Sequence, residues 1–253
     1  MAPDFTILAL CSGGGGLERA VRLVVPAARV VCAVEREAFC IENLAWQVET
    51  AGVGPVALWP DLLTFDGRPW RGLIDCLTAG IPCQPHSVAG KRLGAADERN
   101  LWPAAERIIR EVEPGFVFLE NVAGAVAFFG TVVKPELEGM GYTVEPGLFT
   151  AAEVGAPQRR LRLFVLAHAD GGRCPAAALQ GLAQRPERNH ADRPVRGTWP
   201  PGPGQVASIP RATDGDGPFI DGVRLLGGAV CELAAAYAFC TLLARLESRL
   251  TDD

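Results

Sequence analysis

The junction at residues 5–16 constrains this chain more than any other feature. Phe5-Thr-Ile-Leu-Ala-Leu-Cys11 is short enough for a strand and too continuously apolar for one with a face open to water. It breaks sharply at Ser12-Gly-Gly-Gly-Gly16, and helical spacing of apolar residues resumes over 17–24. A buried strand that turns through glycines into a helix is the first half of a β-α-β unit. The pattern then repeats. Residues 29–34 predict a second strand ending at Glu35, with a helical stretch to about residue 50. Residues 73–79, 115–119 and 161–167 predict further strands. Residues 101–112 predict a helix with Trp102, Ala105, Ile108, Ile109 and Val112 on one face, and an Ala/Leu-rich helix occupies about 225–250. The expected class is α/β, with a doubly wound and mostly parallel sheet.

With 253 residues, 49% of them hydrophobic, the chain is sized for one large domain, alone or with a small appendage. No apolar run approaches the roughly 20 residues of a membrane span, and the first residues are not a signal peptide. A cytoplasmic protein with no membrane partner is expected. Eight cysteines form no CxxC pair and no short Cys/His ladder, so no metal site is expected. Most of them read as reduced, buried, small hydrophobes.

A net charge of −5 does not advertise nucleic-acid binding. The distribution is uneven, however: residues 168–211 hold six arginines (173, 185, 188, 193, 196 and 211) against three acids. Periodicity vanishes over 168–220, where Pro and Gly are dense, as in Trp199-Pro-Pro-Gly-Pro-Gly204. A variable loop or a very small subdomain is expected there, basic enough to touch phosphates.

In doubly wound sheets, ligands bind beyond the carboxyl ends of the strands. The unusual residues fall there. Glycines 13–16 let backbone approach a ligand closely and open a helix N-terminus. Glu35 lies 22 residues after Gly13, where a carboxylate can bond ribose hydroxyls. Gly80-Ile-Pro-Cys-Gln-Pro-His-Ser87 holds Cys83 between two prolines at a strand end, a setting for a thiolate nucleophile. Cys76, inside the preceding strand, has the setting of a structural cysteine. Glu120 follows the run Phe118-Leu119, so poor solvation is expected to raise its pKa and suit it to hold a proton. In Gln158-Arg-Arg-Leu-Arg162, alternation puts Arg160 and Arg162 on one side of a strand.

Together these motifs resemble the cytosine-C5 DNA methyltransferase family. Leu10-Cys-Ser-Gly-Gly-Gly-Gly-Leu17 is similar to its cofactor loop, Val34-Glu-Arg36 to its ribose site and Pro60-Asp-Leu62 to its adenine contact. Gly80-Ile-Pro-Cys-Gln-Pro85 resembles its nucleophile loop, and Glu120-Asn-Val122 and Gly155-Ala-Pro-Gln-Arg-Arg-Leu-Arg162 resemble its later motifs. Arg224-Leu-Leu-Gly-Gly-Ala-Val230 resembles the closing cofactor-side motif, so that the likeness spans about residues 5–167 and 205–246. The resemblance implies a Rossmann-like methyltransferase sheet in residues 1–167, a short, loop-rich target-recognition segment in 168–220, and a helix in 221–253 that returns to the catalytic domain.

The resemblance further implies S-adenosylmethionine as cofactor, held by Cys11, Ser12, Gly13, Gly14, Gly16, Glu35, Arg36, Asp61, Leu62, Pro82, Leu101, Gly228, Ala229 and Val230. Cys83, Glu120, Arg160 and Arg162 are the implied catalytic set. Double-stranded DNA is the implied partner, touched by Gln84, Ser87, Arg185, Arg188, Arg193 and Arg196 and acted on by a monomer. Because C5 is inaccessible in a stacked helix, the base must be flipped out.

Three positions depart from the family pattern. Cys11 stands where an aromatic usually flanks the adenine, His86 where a Phe is usual, and Gly227-Gly228 where Gly-Asn is usual. Cys11 and Gly228 together leave room for a bulkier sulfonium donor. The same motifs also suit an RNA methyltransferase acting on transfer RNA, or a weakly active nucleic-acid-binding relative. The short segment 168–204 predicts a short or relaxed recognition sequence. A dinucleotide oxidoreductase would account for Gly13 and Glu35, but not for the Pro-Cys-Gln-Pro loop.

Overall fold

The computed structural model describes residues 4–50, 54–81, 100–156, 160–169 and 230–252. Seven strands form one sheet in the order β3-β2-β1-β4-β5-β7-β6. The strands are β1 (Phe5–Leu10), β2 (Ala28–Val34), β3 (Ala57–Trp59), β4 (Cys76–Ala79), β5 (Phe116–Val122), β6 (Tyr142–Thr150) and β7 (Leu161–Ala169). Neighbours from β3 through β5 pair parallel, whereas β7 runs antiparallel to both β5 and β6. The expected doubly wound sheet is therefore present, with an antiparallel hairpin closing one side.

The helices are α1 (Gly16–Val24), α2 (Ala38–Thr50), α3 (Trp102–Val112), α4 (Val126–Phe128), α5 (Lys134–Gly139) and α6 (Glu232–Asp252). A π-helical turn, Phe129–Val133, joins α4 to α5. Alternation along each strand feeds two cores. On one face Ile7, Ala9, Phe116, Phe118 and Phe164 pack with Leu17, Ala20 and Val21 of α1 and Phe239 and Leu242 of α6. On the other face Leu8, Leu10, Leu77, Val117 and Leu119 pack with Trp102, Ala105, Ile108, Ile109 and Val112 of α3. These last five are the residues that the helical spacing placed on one face.

Several boundaries differ from the sequence expectation. The strand expected at 73–79 begins only at Cys76, because the Asp75 side chain turns back to accept from the Thr6 N–H at 2.8 Å. β5 continues through Glu120 and Asn121, since β7 pairs with it as far as Val122 opposite Arg162. β7 is interior, between β5 and β6, and runs on to Ala169. Among the described residues no helix is long and apolar enough to cross a membrane.

The switch point of the sheet lies between β1 and β4, where the strand order reverses direction. Arg107 of α3 braces one flank of this point. Its guanidinium donates to the carbonyls of Phe65 at 2.9 Å and Leu62 at 3.2 Å, and pairs with Glu111 at 2.9 Å. Glu111 in turn accepts from the Gly67 N–H at 2.8 Å. The turn after β3 is thus fastened to α3 by charge-assisted bonds. Arg107→Met is expected to lower unfolding stability by about 2 kcal/mol, because it leaves carbonyls and Glu111 short of partners. A fall in urea midpoint at unchanged slope checks this.

Candidate active site

The ends of β1, β2 and β3 lie side by side and build a common rim. At the end of β1, Cys11 takes the left-handed conformation (φ 51°), and its N–H donates to the Val34 carbonyl at 2.8 Å. Gly13 is also left-handed (φ 53°), and a Cβ there would meet nothing within 4 Å. The loop therefore leaves bare backbone facing open space. Gly16 serves a different purpose: a Cβ there would press on the Val230 carbonyl at 3.1 Å, so the glycine admits the residue before α6 against the start of α1.

Glu35 is buried at the end of β2 and clamps this loop. One carboxylate oxygen accepts from the Gly13 N–H at 2.7 Å, and the other from the N–H groups of Arg36 at 2.8 Å and Glu37 at 2.9 Å. Its own N–H donates to the Trp59 carbonyl at 2.9 Å, which aligns β3 and brings Asp61 alongside. The Asp61 carboxylate caps its own turn by accepting from the Leu63 N–H at 2.9 Å. Leu62 is buried beneath it, and Leu101 packs half-buried against the same core just before α3. The Gly14 carbonyl accepts from Arg19, which also pairs with Glu232 of α6 at 2.7 Å.

A second cluster stands where β5 meets β7. Glu120 and Arg162 are diagonal across the pair, and the Arg162 guanidinium lies 3.0 Å from the Glu120 carboxylate. Arg160 is close enough to both to act on their charges. Burial outweighs both arginines and holds the Glu120 carboxyl above its ordinary 4.5. Burial, then the neighbouring Arg162, lowers the pKa of Arg160, whose Nε is buried without a hydrogen-bond partner. Asn121, on the opposite face of β5, donates to the Ile81 carbonyl at 3.2 Å and so steadies the chain leaving β4.

The raised Glu120 pKa has a testable sign. The fold favours the protonated acid, so the associated stabilisation is fully present below the unfolded value near 4.5. It is lost as pH rises through the raised folded value. The stability advantage of wild type over Glu120→Gln is expected to shrink from about pH 4 to about pH 8 in thermal unfolding. An advantage constant across that range overturns it.

The two clusters lie at strand ends on either side of β4, and β4 is tied to the first. The Gly80 N–H donates to the Leu10 carbonyl at 3.3 Å, and a Cβ on Gly80 would lie 3.5 Å from the Cys11 carbonyl. Hence Cys11, Ser12, Gly13, Gly14, Gly16, Glu35, Arg36, Asp61, Leu62 and Val230 gather around the ends of β1 to β3, with Glu120, Arg160 and Arg162 at the ends of β5 and β7. Pro82, Cys83, Gln84, His86, Ser87, Gly228 and Ala229 lie outside the described residues, as do Arg185, Arg188, Arg193 and Arg196. So do residues 170–220 of the segment expected to recognise the target, whose first two residues, His168 and Ala169, end β7. Among the described residues no group of His, Cys, Asp and Glu could hold a metal ion.

Three features were not found by sequence reasoning: the Arg107 brace, the Asn121 bond to Ile81, and a buried Glu18 on α1 that accepts from the Thr78 hydroxyl at 2.6 Å. Glu18 follows Leu17 on the helix, and that adjacency to the apolar face was its one visible signal.

Comparison with known proteins agrees with this geometry. A family model described as C-5 cytosine-specific DNA methylase matches residues 5–188. The Type II methyltransferase M.NgoMIV of Neisseria gonorrhoeae is 33% identical over 168 residues, covering 65% of this chain and 52% of that protein. M.Eco47II of Escherichia coli is 30% identical over 174 residues, covering 64% of this chain and 39% of that protein. The chain thus spans about half the length, or less, of these relatives. Among solved structures, a Spodoptera frugiperda DNMT2 variant superposes with a TM-score of 0.53 at 23% identity, over 68% of this chain and 52% of that one. Entamoeba histolytica methyltransferase EhMeth gives 0.54 at 16% identity, over 66% and 54%. At these identities the structures show a common fold.

Proposed function

The chain belongs to the C-5 cytosine-specific DNA methylase family, and on that footing we propose that it methylates C5 of cytosine in double-stranded DNA with S-adenosylmethionine as donor. The observation that carries this reading is an open glycine loop at the end of β1 and a partly buried Glu120–Arg162 pair at the end of β5, on either side of β4.

The residues present fit the donor. Ser12 offers a buried hydroxyl with no protein partner, Gly13 leaves room for close approach, and Glu35 and Asp61 rim the loop with carboxylates. Ser12, Gly13 and Gly14 would hold its amino-acid end, Glu35 its ribose, and Asp61 with Leu62 its adenine. When bound, it supplies a methyl group on a sulfonium, which the activated C5 takes.

The chain's own residues do the rest. C5 of cytosine is a weak nucleophile until a thiolate adds to C6. Cys83 forms that bond, and the displaced electron pair is drawn toward N3. Glu120, whose pKa burial raises, donates a proton to N3 and neutralises the charge there. Arg162 holds Glu120 in place and, with Arg160, faces the base oxygen. A base or water then takes the C5 proton, N3 returns its proton to Glu120, and the C5–C6 double bond re-forms as the Cys83 thiolate is expelled. The arginines of residues 168–211 supply phosphate contacts.

Transfer of labelled methyl from S-adenosylmethionine to unmethylated duplex DNA, beside transfer RNA, tests this. Label is expected in DNA at C5 of cytosine. Label confined to transfer RNA replaces DNA as substrate, and no label in either overturns the activity.

A further inference from the structure

Glu18 is the one acid of α1, and it lies on the helix's buried side, 4% exposed. Burial, first among the causes, holds its pKa above the ordinary 4.5. One oxygen accepts from the Thr78 hydroxyl at 2.6 Å. Thr78 is the third residue of β4, and Gly80, two residues on, donates its N–H to the Leu10 carbonyl at 3.3 Å, just before the glycine loop.

The second oxygen, Oε2, is buried and makes no hydrogen bond within the protein. Glu18 lines a concavity between α1 and α2, above β1 and β2. Ser12 lines the same concavity, and its hydroxyl is likewise buried without a partner. Ala9 and Ala33 form the floor, so small side chains leave the space open. Two orphaned polar groups thus line one small space. A buried polar group left unpaired is costly, and a pair of them in one space is not accounted for by packing.

We propose that Glu18 is a positioning residue that couples the glycine loop to β4: its carboxyl group fixes Thr78 while its second oxygen answers to Ser12. Ordering the loop around a donor then sets the exit of the strand that leads toward the nucleophile segment. This inference rests on the proposed function, because it assumes that the glycine loop holds the donor. It goes further by assigning a task to a group that touches neither donor nor base.

The test compares Glu18→Gln, Glu18→Leu, Thr78→Ser and Thr78→Val in the full chain. Affinity for S-adenosylhomocysteine is read by calorimetry, methyl transfer as kcat and donor KM, and thermal stability separately. The amide and the serine preserve the hydrogen bond, so both variants are expected within about threefold of wild type. Leucine and valine remove it, and are expected to weaken donor affinity and lower kcat by about tenfold each. The double variant Glu18→Leu with Thr78→Val is expected to be no worse than Glu18→Leu alone, as one shared link requires. If Glu18→Leu does not fold, Thr78→Val against Thr78→Ser decides. Lower stability with unchanged affinity and kcat overturns the coupling, and so does damage from Glu18→Gln equal to that from Glu18→Leu. A wild type that binds no S-adenosylhomocysteine overturns the donor reading and this inference with it.

Discussion

Cys83→Ala is expected to abolish covalent capture of a duplex carrying 5-fluorocytosine and to lower methyl transfer by a factor on the order of ten thousand or more. Fluorine at C5 cannot leave as a proton does, so the adduct stalls with the cysteine still bonded to C6. The complex survives denaturing electrophoresis in wild type and is absent in the variant. Other cysteines are poor substitutes on physical grounds. Burial pushes the thiols of Cys11 and Cys32 up to about 12, and that of Cys76 higher still. The Glu35 carboxylate adds to the effect at Cys11. A thiol so far from ionisation is a weak nucleophile. Capture that persists in Cys83→Ala and vanishes in Cys11→Ala would move the nucleophile to the donor loop.

Glu120→Gln is expected to lower kcat by a factor on the order of one hundred to one thousand while leaving donor affinity within about twofold. An amide fills the same volume and can still bond a neighbour, but it has no acidic proton to give N3. The separation of kcat from donor affinity matters, because Glu120 stands at β5 and not on the rim formed by β1 to β3. A variant that loses donor binding and keeps kcat at saturating donor contradicts the assigned role. Arg162 bears on the same measurement: it contacts Glu120 at 3.0 Å, so the single substitution also leaves a partly buried guanidinium with a weaker partner.

Much of this architecture was legible from residue order because the chemistry falls at strand ends. Phe5 to Cys11 followed by glycines located β1, the loop and α1, and Glu35 closed β2. These assignments rested on unbroken apolar runs, which parallel strands buried on both faces produce. β6 was missed for the opposite reason. Glu145, Pro146 and Gly147 interrupt its centre, a sequence that reads as a turn. The strand tolerates them because it lies at the sheet edge, where a proline need not donate to a ladder. β3 is only three residues long and exposed throughout, too short for any period to register. β5 ran past its expected end because its continuation depends on β7, a partner some 40 residues later in the chain that local spacing cannot reveal.

Within the site, residues that act by type were visible and those that act by placement were not. Glu120 follows an apolar run, and its raised pKa agrees with that position. Glu35 was read as a ribose ligand, yet its carboxylate already accepts three backbone N–H groups, a task that nothing in its sequence neighbourhood announces. Arg107 resembles any surface arginine of a helix, and only the fold brings the carbonyls of Leu62 and Phe65 to it.

The contact between α1 and α6 sets an order of events during synthesis. Arg19 meets Glu232 across 213 residues, and Val230 seats against Gly16. While the ribosome is still building the middle of the chain, Leu17, Ala20 and Val21 have no helix to cover them from that side, and the Gly14 end of the loop lacks half its brace. The loop made early is thus finished by a helix made much later. A nascent chain stalled before α6 therefore carries a glycine loop without its Val230 and Glu232 supports.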